Sequence, residues 1–465
     1  MWSSFLLEEK DMCGIFGIEN NETASMFTFV GLLTLQHRGE ESAGITSNND
    51  GINYITHKSM GLVSQIFKEK ILNTLTGKVC IGHVRYSTHS ESTLLNAQPF
   101  VFNCIHGNIA VAHNGNITNC ETIKKELAQS GSIFNHTSDT EIVAHLVAKS
   151  KGFSAGDLIK NAVSKLEGAY SLIFIIGNKL VGVRDPFGYR PLVLGKNGDS
   201  YILASETSAI DAAGGSFIRN VNPGEVIVIE NGKITEDIYL DKKEKEKFCI
   251  FEQVYFSRPD SVLCNKSVKN ARVQMGKYLA KQMKDIKADI VVPVPDTGIF
   301  SAQGFSEESG IKFQTGFIRN HYVGRSFIKP SQKMREVTAR LKLFPIKDVI
   351  DGKRIVLIDD SLVRGTTAQK IVKILRDVGA REIHFALSCP PVISPCYYGI
   401  DTPNKDKLIS AMKSNEEIKE FLNVDSLTFL DINNMKKACC TDEHDTSKFC
   451  CACFDGIYPS KITDK

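Results

Sequence analysis

Hydrophobic positions along the chain follow two different patterns, which meet near residue 245. Before that point, short apolar runs separated by polar segments predict strands at Val79–Ile81, Ile109–Ala112, Ser171–Ile176, Tyr201–Ala204 and Val226–Ile229. Two stretches with helical spacing interrupt these strands, Thr140–Lys149 and Ala155–Leu166, and Asp139 stands where it can cap the first helix. The N-terminal half is therefore predicted to mix strands and helices.

Strands and helices alternate regularly beyond the charged stretch Asp241–Lys247, which we expect to be an exposed linker. Strands are predicted at Ile290–Val294, Ile355–Ile358 and Ile383–Ser388, and a helix at Thr366–Val378, ended by Gly379. This order implies a right-handed parallel α/β unit. We expect one domain over residues 13–245 and a second over residues 246–465.

Composition narrows the class of protein. The 465 residues are 42% hydrophobic, and 56 Lys and Arg against 53 Asp and Glu leave a net charge of +3. Such a balance argues against a nucleic-acid or membrane-surface partner. The sequence has no apolar run of about 18 residues and no signal-peptide pattern, so we expect a cytoplasmic protein. Its 13 cysteines then indicate reduced thiols, metal binding or catalysis rather than disulfides.

Cys13 begins the segment Cys13–Ile18, behind twelve residues with no clear structural role. A thiol becomes a good nucleophile only when it is deprotonated, and a neighbouring terminal amine, with a pKa of about 7.7–8.0, can act as the base. Only a cysteine at the first position has that amine beside its own sulfur. The pattern predicts that residues 1–12 are a propeptide; the alternative is a buried structural cysteine.

Four more segments carry polar residues of catalytic type. Leu35–Ile45 is predicted to be a polar loop that runs into a turn, and Gly82–Thr88 places Arg85 after a strand. His113–Asn116 has the composition of a turn, and Ser138–Glu141 opens a helix. Each has an alternative interpretation when taken alone: an exposed arginine, a hairpin Asn-Gly or a helix cap.

Taken together and in this order, these segments resemble the class II glutamine amidotransferase domain, an N-terminal-nucleophile hydrolase. The resemblance implies a sandwich of two sheets between helices (αββα). It assigns attack on the glutamine amide to Cys13 and the oxyanion hole to Asn114 and Gly115. It also implies that Arg85 binds the α-carboxylate of glutamine and that Asp139 binds its α-amino group.

A buried strand followed by two acids and a glycine fills residues 354–367. The acids stand at the carboxyl end of the strand, where open α/β sheets bind ligands. They suit ribose hydroxyls, directly or through Mg²⁺, and the following helix N-terminus suits an anion. An acidic turn before an ordinary capped helix is the alternative, which the full run disfavours.

This run resembles the phosphoribosyl pyrophosphate motif of type I phosphoribosyltransferases. The resemblance implies a type I phosphoribosyltransferase fold, with Thr297 of the loop 293–298 near Mg²⁺ and a lid over residues 319–335. His321 stands in that lid where the family more often has Arg. Phosphoribosyl pyrophosphate would be bound by Asp359, Asp360, Ser361, Arg364, Gly365, Thr366 and Thr367, and Mg²⁺ by Thr297, Asp359 and Asp360.

Cys450 and Cys453 form a C-x₂-C pair. Such pairs can bind one metal centre, and four thiolates bind zinc or an iron–sulfur cluster, although local cysteine density (Cys439, Cys440, Cys451) is an alternative origin. With Cys249 and Cys396, the pair resembles the ligands of the iron–sulfur branch of glutamine phosphoribosylpyrophosphate amidotransferases, which also carries a propeptide. The resemblance implies a [4Fe–4S] cluster; spacing alone leaves zinc open.

The resemblance covers residues 13–465 and implies one reaction. Ammonia from glutamine displaces pyrophosphate from phosphoribosyl pyrophosphate and gives phosphoribosylamine, the first committed step of purine biosynthesis. It further implies purine nucleotide inhibitors and a homo-oligomer, by resemblance a tetramer. Two alternatives are an amidotransferase with another acceptor, against which residues 359–367 argue, and a nucleotide-sensing homologue without activity, against which the retained catalytic positions argue.

Overall fold

The computed structural model describes residues 12–86, 92–241, 244–320, 343–442 and 445–464. None of the helices within these ranges is long and apolar enough to cross a membrane. Most of the predicted strands and helices are present, and the differences concern residues 42–45, 85 and 113–116.

Thirteen strands precede residue 240 in the described chain. In chain order they are β1 (Gly14–Glu19), β2 (Ser42–Asn48), β3 (Tyr54–Met60), β4 (Val79–Arg85), β5 (Phe100–Cys104), β6 (Gly107–Ile117), β7 (Gly168–Ile176), β8 (Lys179–Arg184), β9 (Val193–Asn197), β10 (Ser200–Ala204), β11 (Ser216–Asn220), β12 (Glu225–Glu230) and β13 (Lys233–Tyr239). They form two antiparallel sheets, ordered β11-β9-β10-β1-β4-β2-β3 and β13-β12-β8-β7-β6-β5.

The two sheets stack face to face. Their side chains alternate as strand geometry requires: Ile15 of β1 faces the layer between the sheets, where it joins Ile173 of β7, whereas Phe16 packs on the helix side. The helices of this half are α1 (Ala24–Thr34), α2 (Val63–Ile66), α3 (Glu69–Leu72), α4 (Cys120–Gln129), α5 (Thr140–Lys149), α6 (Ala155–Val163) and α7 (Thr207–Ala212). Helices α1 and α7 cover the first sheet, and α4 to α6 cover the second, which confirms the αββα sandwich.

A parallel sheet organises the second half. Its strands in spatial order are β17 (Ile290–Pro293), β20 (Arg354–Asp359), β21 (Glu382–Leu387) and β22 (Ser426–Phe429). The remaining strands pair in twos: β14 (Phe248–Cys249) with β23 (Phe449–Cys450), β15 (Val262–Leu263) with β16 (Lys266–Ser267), and β18 (Phe317–Arg319) with β19 (Leu343–Pro345). The first of these pairs ties the C-terminal segment to the start of the second half.

The described part of the second half contains eight helices, several of which flank this sheet. They are α8 (Val268–Gln282), α9 (Ile299–Ser309), α10 (Lys347–Ile350), α11 (Thr366–Asp377), α12 (Ile409–Met412), α13 (Asn415–Leu422), α14 (Ile432–Cys439) and α15 (Ala452–Asp455). The predicted helix at 366–378 is therefore confirmed to within one residue, and Gly379 follows it with φ +98°. Residues Glu252–Phe256 form a π-helical segment just after β14.

Three predictions about the backbone structure are wrong. Residues 113–116, predicted as a turn, lie within β6 and pair with residues 169–172 of β7, because the full-length pairing with β7 satisfies their backbone groups. Ser42–Ile45, also predicted as a turn, belongs to β2, which pairs on both sides with β3 and β4. Arg85 does not follow a strand but is the last residue of β4.

Candidate functional site

Cys13 lies immediately before β1. Because β1 pairs with β4, and Gly14 lies opposite Val84, the end of β4 comes beside the cysteine. The thiol donates a hydrogen bond to the carbonyl of Tyr86 at 3.7 Å, and the carbonyl oxygen of Cys13 accepts one from Nε of Arg38 at 3.0 Å. The predicted nucleophile is therefore held at both its side chain and its backbone.

Burial raises the pKa of the Cys13 thiol to about 11. The hydrogen bond to Tyr86 and the charge of Arg85 lower the pKa in part, whereas Asp139 and Glu41 raise it. The thiol is therefore protonated at neutral pH in this form of the chain, in which Met12 precedes Cys13 and is fully buried. Because the charges of Arg85 and Asp139 both act on the thiol, the predicted nucleophile and these two residues lie in one region.

Arg85 forms an ion pair with Glu41, and both side chains are largely buried. A guanidinium that is held in this way presents a fixed fork for a carboxylate. The sequence pattern assigned no role to Glu41, although it lies in the predicted polar loop within Leu35–Ile45. A substrate carboxylate that binds Arg85 would compete with Glu41 or share the guanidinium with it.

Asn114 carries an unsatisfied buried amide. The residue is 1% exposed, and neither its side-chain nitrogen nor its side-chain oxygen bonds any residue in the described ranges. Buried amides are normally hydrogen-bonded, so this amide is suited to a ligand that completes it. Gly115 has φ +145°, and a Cβ atom there would lie 2.0 Å from the carbonyl oxygen of Ala169, so that only glycine fits.

Asp139 occupies the N-cap position of α5 but makes no side-chain cap, contrary to prediction. Its carboxylate instead accepts a hydrogen bond from the backbone N–H of Ile117 at 3.0 Å and lies 3.4 Å from Nδ1 of His113. Burial raises the pKa of Asp139, but the attraction to His113 and the hydrogen bonds with His113, Ile117 and Thr140 together leave the pKa below its usual value. The carboxylate is thus drawn toward β6, the strand that carries Asn114 and Gly115.

Asp359 and Asp360 stand at the carboxyl end of β20, as predicted. The backbone N–H of Asp360 donates to Oδ1 of Asp359 at 2.8 Å, and the hydroxyls of Ser361 and Thr297 both donate to the carboxylate of Asp360. The loop with Thr297 lies beside β20 because the N–H of Val294 donates to a carbonyl of that strand. The structure therefore brings these acids and hydroxyls together.

Gly365 precedes α11 in the left-handed conformation, with φ +80°. This turn sends the chain from the acids at the end of β20 directly into the first turn of α11, which Thr366 and Thr367 begin. Helix N-termini attract anions through their backbone N–H groups. Thr366 and Thr367 therefore lie at the helix N-terminus that the sequence predicts to be a phosphate site.

The predicted lid is described only at its first residues. Arg319 ends β18 and forms an ion pair with Asp296 of the loop 293–298. His321 and the rest of the predicted lid, through residue 335, lie outside the described ranges.

The four predicted ligand cysteines come from three segments that meet in space. Cys249 and Cys450 are paired partners in β14 and β23, and the sulfur of Cys396 accepts a hydrogen bond from the N–H of Tyr398 at 3.3 Å. The carbonyl of Cys453 accepts from residues 393 and 394 of the segment that leads to Cys396. The four thiols interact electrostatically with one another.

Three of these thiols are buried and Cys396 is partly buried, and the guanidinium of Arg190 lies close to them. Burial raises the pKa of Cys249 to about 11, and the guanidinium of Arg190 lowers it in part. Cys451 interacts with the same thiols, so the choice of four rests on the resemblance rather than on proximity alone. No group of three or more His, Cys, Asp or Glu residues among those described is placed to hold a metal ion.

Two family models match the chain, a glutamine amidotransferase domain over residues 83–212 and a phosphoribosyl transferase domain over residues 266–427. Amidophosphoribosyltransferase 1 of Arabidopsis thaliana, a chloroplastic protein, is 46% identical over 456 residues, which cover 98% of this chain and 80% of the relative. The chain belongs to the amidophosphoribosyltransferase family. Another relative of that name, from Methanocaldococcus jannaschii, is 43% identical over 97% of this chain and 98% of its own length.

A solved structure of an amidophosphoribosyltransferase family member extends this likeness to the fold. The glutamine phosphoribosylpyrophosphate amidotransferase of B. subtilis, complexed with ADP and GMP, has a TM-score of 0.91 and 42% identity, and covers 97% of this chain and 98% of its own. The predicted fold, an N-terminal-nucleophile amidotransferase domain followed by a phosphoribosyltransferase domain, is confirmed. Neither alternative function is favoured.

Sequence reasoning missed the polar network behind Cys13. Arg38, Glu206, Glu252 and Arg190 are all fully buried and form ion pairs with one another. Arg38 lies in the polar segment Leu35–Ile45, and Glu252 lies three residues after Cys249. Their types could be read from the sequence, but their contact joins positions 214 residues apart, which no local pattern reveals.

Proposed function

We propose that this protein catalyses the amidophosphoribosyltransferase reaction, in which glutamine, phosphoribosyl pyrophosphate and water give phosphoribosylamine, glutamate and pyrophosphate. The observation that carries the proposal is the proximity of Cys13, Arg85 and Asp139 in one half, together with two adjacent acids just before the N-terminus of α11 in the other. The reaction would be the first committed step of de novo purine biosynthesis.

In the first half-reaction, the sulfur of Cys13 attacks the side-chain carbonyl of glutamine, and the amide nitrogen leaves as ammonia. Water then hydrolyses the thioester, which releases glutamate and restores the thiol. Arg85 binds the α-carboxylate and Asp139 the α-amino group. The amide of Asn114 and the backbone N–H of Gly115 stabilise the oxyanion; the unsatisfied amide of Asn114 supports this role. One such donor typically contributes roughly 2.7–4 kcal/mol.

Residues 1–12 act as a propeptide in this proposal. Removal of Met12 leaves the α-amine of Cys13 beside its own sulfur, where it serves as the base. The raised pKa of the thiol in the unprocessed form supports the need for such a base. Intact-mass measurement of the active protein tests this step, because an active chain that still carries Met12 would contradict it.

In the second half-reaction, ammonia attacks C1 of the ribose, and pyrophosphate leaves. Asp359 and Asp360 bind the ribose hydroxyls, and Ser361 with residues 364–367 binds the 5′-phosphate. Thr297, Asp359 and Asp360 offer the oxygen ligands that Mg²⁺ prefers, and bound Mg²⁺ would neutralise charge on the leaving pyrophosphate. Ammonia passes between the halves inside the protein, since free ammonia would be protonated in solvent.

The cysteines Cys249, Cys396, Cys450 and Cys453 hold a [4Fe–4S] cluster in this proposal, with zinc as the alternative. Their convergence and the nearby cation Arg190 support a site for a negatively charged thiolate centre. The cluster would tie the C-terminal segment to β14 and has no redox role in the synthesis. Cys450→Ser should lower both the iron content and the thermal midpoint, with Cys104→Ser as the control; unchanged values would exclude the cluster.

The division into domains at residues 245 and 246 is also proposed, since the last strand of the sandwich ends at Tyr239. The B. subtilis relative complexed with ADP and GMP supports purine nucleotides as inhibitors here. We further propose a homo-oligomer, a tetramer by family resemblance, and a cytoplasmic location. Sedimentation of the pure protein and fractionation of the source cells test the last two.

Transfer of the amide nitrogen tests the reaction as a whole. Glutamine labelled with ¹⁵N in its side-chain amide is supplied with phosphoribosyl pyrophosphate to protein purified without oxygen. The proposal predicts ¹⁵N in the sugar-phosphate amine, together with unlabelled glutamate. Label that appears only as free ammonia would show that the acceptor is wrong.

A further inference from the structure

Glu252 is a buried carboxylate that receives two guanidinium groups. Arg38 binds it through two bonds, Nη2 to Oε1 at 2.8 Å and Nη1 to Oε2 at 3.0 Å. Nη1 of Arg190 lies 3.3 Å from Oε1, and the hydroxyl of Ser257 donates to Oε2 at 2.8 Å. Glu252 opens the π-helical segment of the second half, so its bonds with Arg38 and Arg190 cross from one half of the chain to the other.

Arg38 reaches the nucleophile from this carboxylate. Its Nε donates to the carbonyl oxygen of Cys13 at 3.0 Å, while Nη1 also bonds Glu206 at 2.7 Å. Glu206 in turn accepts from the backbone N–H of Arg258 and the hydroxyl of Ser261, both in the second half. Each nitrogen of the Arg38 guanidinium is therefore used, and its plane is fixed.

Arg190 connects the same network to the segment that contains Cys396. Its Nε and Nη2 both donate to the carbonyl oxygen of Tyr398, at 2.8 and 2.5 Å. Two residues away in the chain stands Cys396, with which Arg190 interacts electrostatically. The carboxylate of Glu252 thus contacts both arginines directly. Arg38 connects it to Cys13, and Arg190 connects it to the segment 396–400.

The four ionised side chains of the network are buried and balanced in charge, and a partly exposed His37 also bonds Glu206 at 2.8 Å. Arg38, Arg190, Glu206 and Glu252 each have no exposed side-chain surface, and the two cations match the two carboxylates. Buried ion groups of this kind are rarely the most stable way to fill a core. What they provide is fixed geometry, because a bidentate guanidinium–carboxylate pair has one preferred arrangement.

We propose that Glu252 is a positioning residue for the glutaminase half-reaction: it orients Arg38, which fixes the carbonyl of Cys13 and so aims the nucleophile at the substrate held by Arg85 and Asp139. The inference rests on the proposed function and deepens it. It makes the second half of the chain, which supplies Glu252, a structural part of the glutaminase site.

Two variants test the positioning role. Glu252→Gln keeps the shape but removes the charge, and Arg38→Lys keeps the charge but removes the fork. Because a displacement of about 1 Å can cost about 100-fold in rate, both should lower the glutamine-dependent kcat about 100-fold. The KM for glutamine should stay unchanged, since Arg85 and Asp139 are not altered. Phosphoribosylamine synthesis from added ammonia, which bypasses Cys13, should also stay unchanged.

A matched control is available in Glu225→Gln. Glu225 is also fully buried and binds Arg219 through two bonds, at 2.7 and 2.8 Å, but contacts neither Cys13 nor Arg38. This variant should retain both activities.

The outcomes separate the inference from the proposed function. Glutamine-dependent turnover that survives in Glu252→Gln and Arg38→Lys would overturn the positioning role. An equal fall of the glutamine- and ammonia-dependent activities, with a lower thermal midpoint, would overturn it in favour of a purely structural role. Absence of both activities from the wild-type protein would instead refute the proposed function.

Discussion

Gly399 packs directly against the backbone of Gly115. A Cβ atom on Gly399 would lie 2.8 Å from the carbonyl carbon of Gly115, and Gly399 itself has φ +97°. A neighbouring hydrogen bond joins the same two segments: Nδ2 of Asn116 donates to the carbonyl oxygen of Tyr397 at 2.9 Å. A segment of the second half that carries one of the predicted cluster cysteines therefore supports the predicted oxyanion hole.

Gly399→Ala should therefore impair glutamine hydrolysis, although Gly399 lies far from Gly115 in the sequence. The added methyl group displaces the backbone of Gly115, so we expect the glutamine-dependent kcat to fall at least about tenfold, equivalent to about 1.4 kcal/mol. Synthesis from added ammonia should be retained. The control is Gly310→Ala, which has a similar φ of +72° but no atom within 4 Å of its Cβ; a glutaminase loss of the same size there would assign the effect to backbone strain alone.

Arg85→Lys should weaken glutamine binding. The substitution keeps the charge but loses the fork that suits a carboxylate, and a charged hydrogen bond contributes about 1.5–3 kcal/mol. We expect kcat/KM for glutamine to fall by about 10- to 100-fold, mainly through a higher KM, as measured by steady-state glutamate release. A normal KM would show that Arg85 serves Glu41 rather than the substrate.

Asp360→Asn should impair the second half-reaction and leave the first intact. The carboxylate accepts bonds from Thr297 and Ser361, and its charge is expected to hold the ribose and Mg²⁺. We predict that phosphoribosylamine synthesis from ammonia falls roughly 100-fold, as is typical when a charge-stabilising group is lost, while basal glutamine hydrolysis without phosphoribosyl pyrophosphate persists.

Asp289→Asn is the control for that variant, because Asp289 precedes the neighbouring strand β17 at its amino end and pairs with Arg354 at the surface. Such exposed pairs contribute about 0–1 kcal/mol to stability. Loss of ammonia-dependent synthesis in Asp289→Asn would place the acceptor site elsewhere.

The reactivity of Cys13 should depend on whether residue 12 is present. Burial raises the pKa of the thiol to about 11 in the chain that retains Met12. Only the thiolate reacts, so alkylation by iodoacetamide should rise about tenfold per pH unit between about pH 7 and pH 10. In a chain that begins at Cys13, the rise should centre near the pKa of the amine, about 7.7–8.0. Identical profiles for the two forms, measured by mass spectrometry, would argue against the amine as the base.

The sequence predicted the elements of this fold best where a single period dominates. Helix α5 begins and ends at the predicted residues, and β20 and β21 each lie within one residue of the predicted runs. The prediction of a turn at Asn114 and Gly115 was wrong because it considered a favourable turn dipeptide without the strand that pairs with it. Pairing along all of β6 outweighs that local preference.

The chemistry of the site was predictable to the extent that it is local. Asp359 and Asp360 follow their strand within the same segment, so strand and motif agree. The contact of Arg38 with Glu252 joins two halves of the chain, and the ion pair of Arg85 with Glu41 depends on the register of β2 against β4. Neither pairing leaves a periodic signal, and long-range contacts of this kind required the structure.

Coupled release of glutamate and pyrophosphate tests the central claim most directly. Protein purified without oxygen is given glutamine with and without phosphoribosyl pyrophosphate, and both products are followed over time. The account predicts that glutamate release rises when phosphoribosyl pyrophosphate is added and that pyrophosphate appears in step with it. Glutamate release that is unaffected by phosphoribosyl pyrophosphate, with no pyrophosphate formed, would contradict the assignment of the second half.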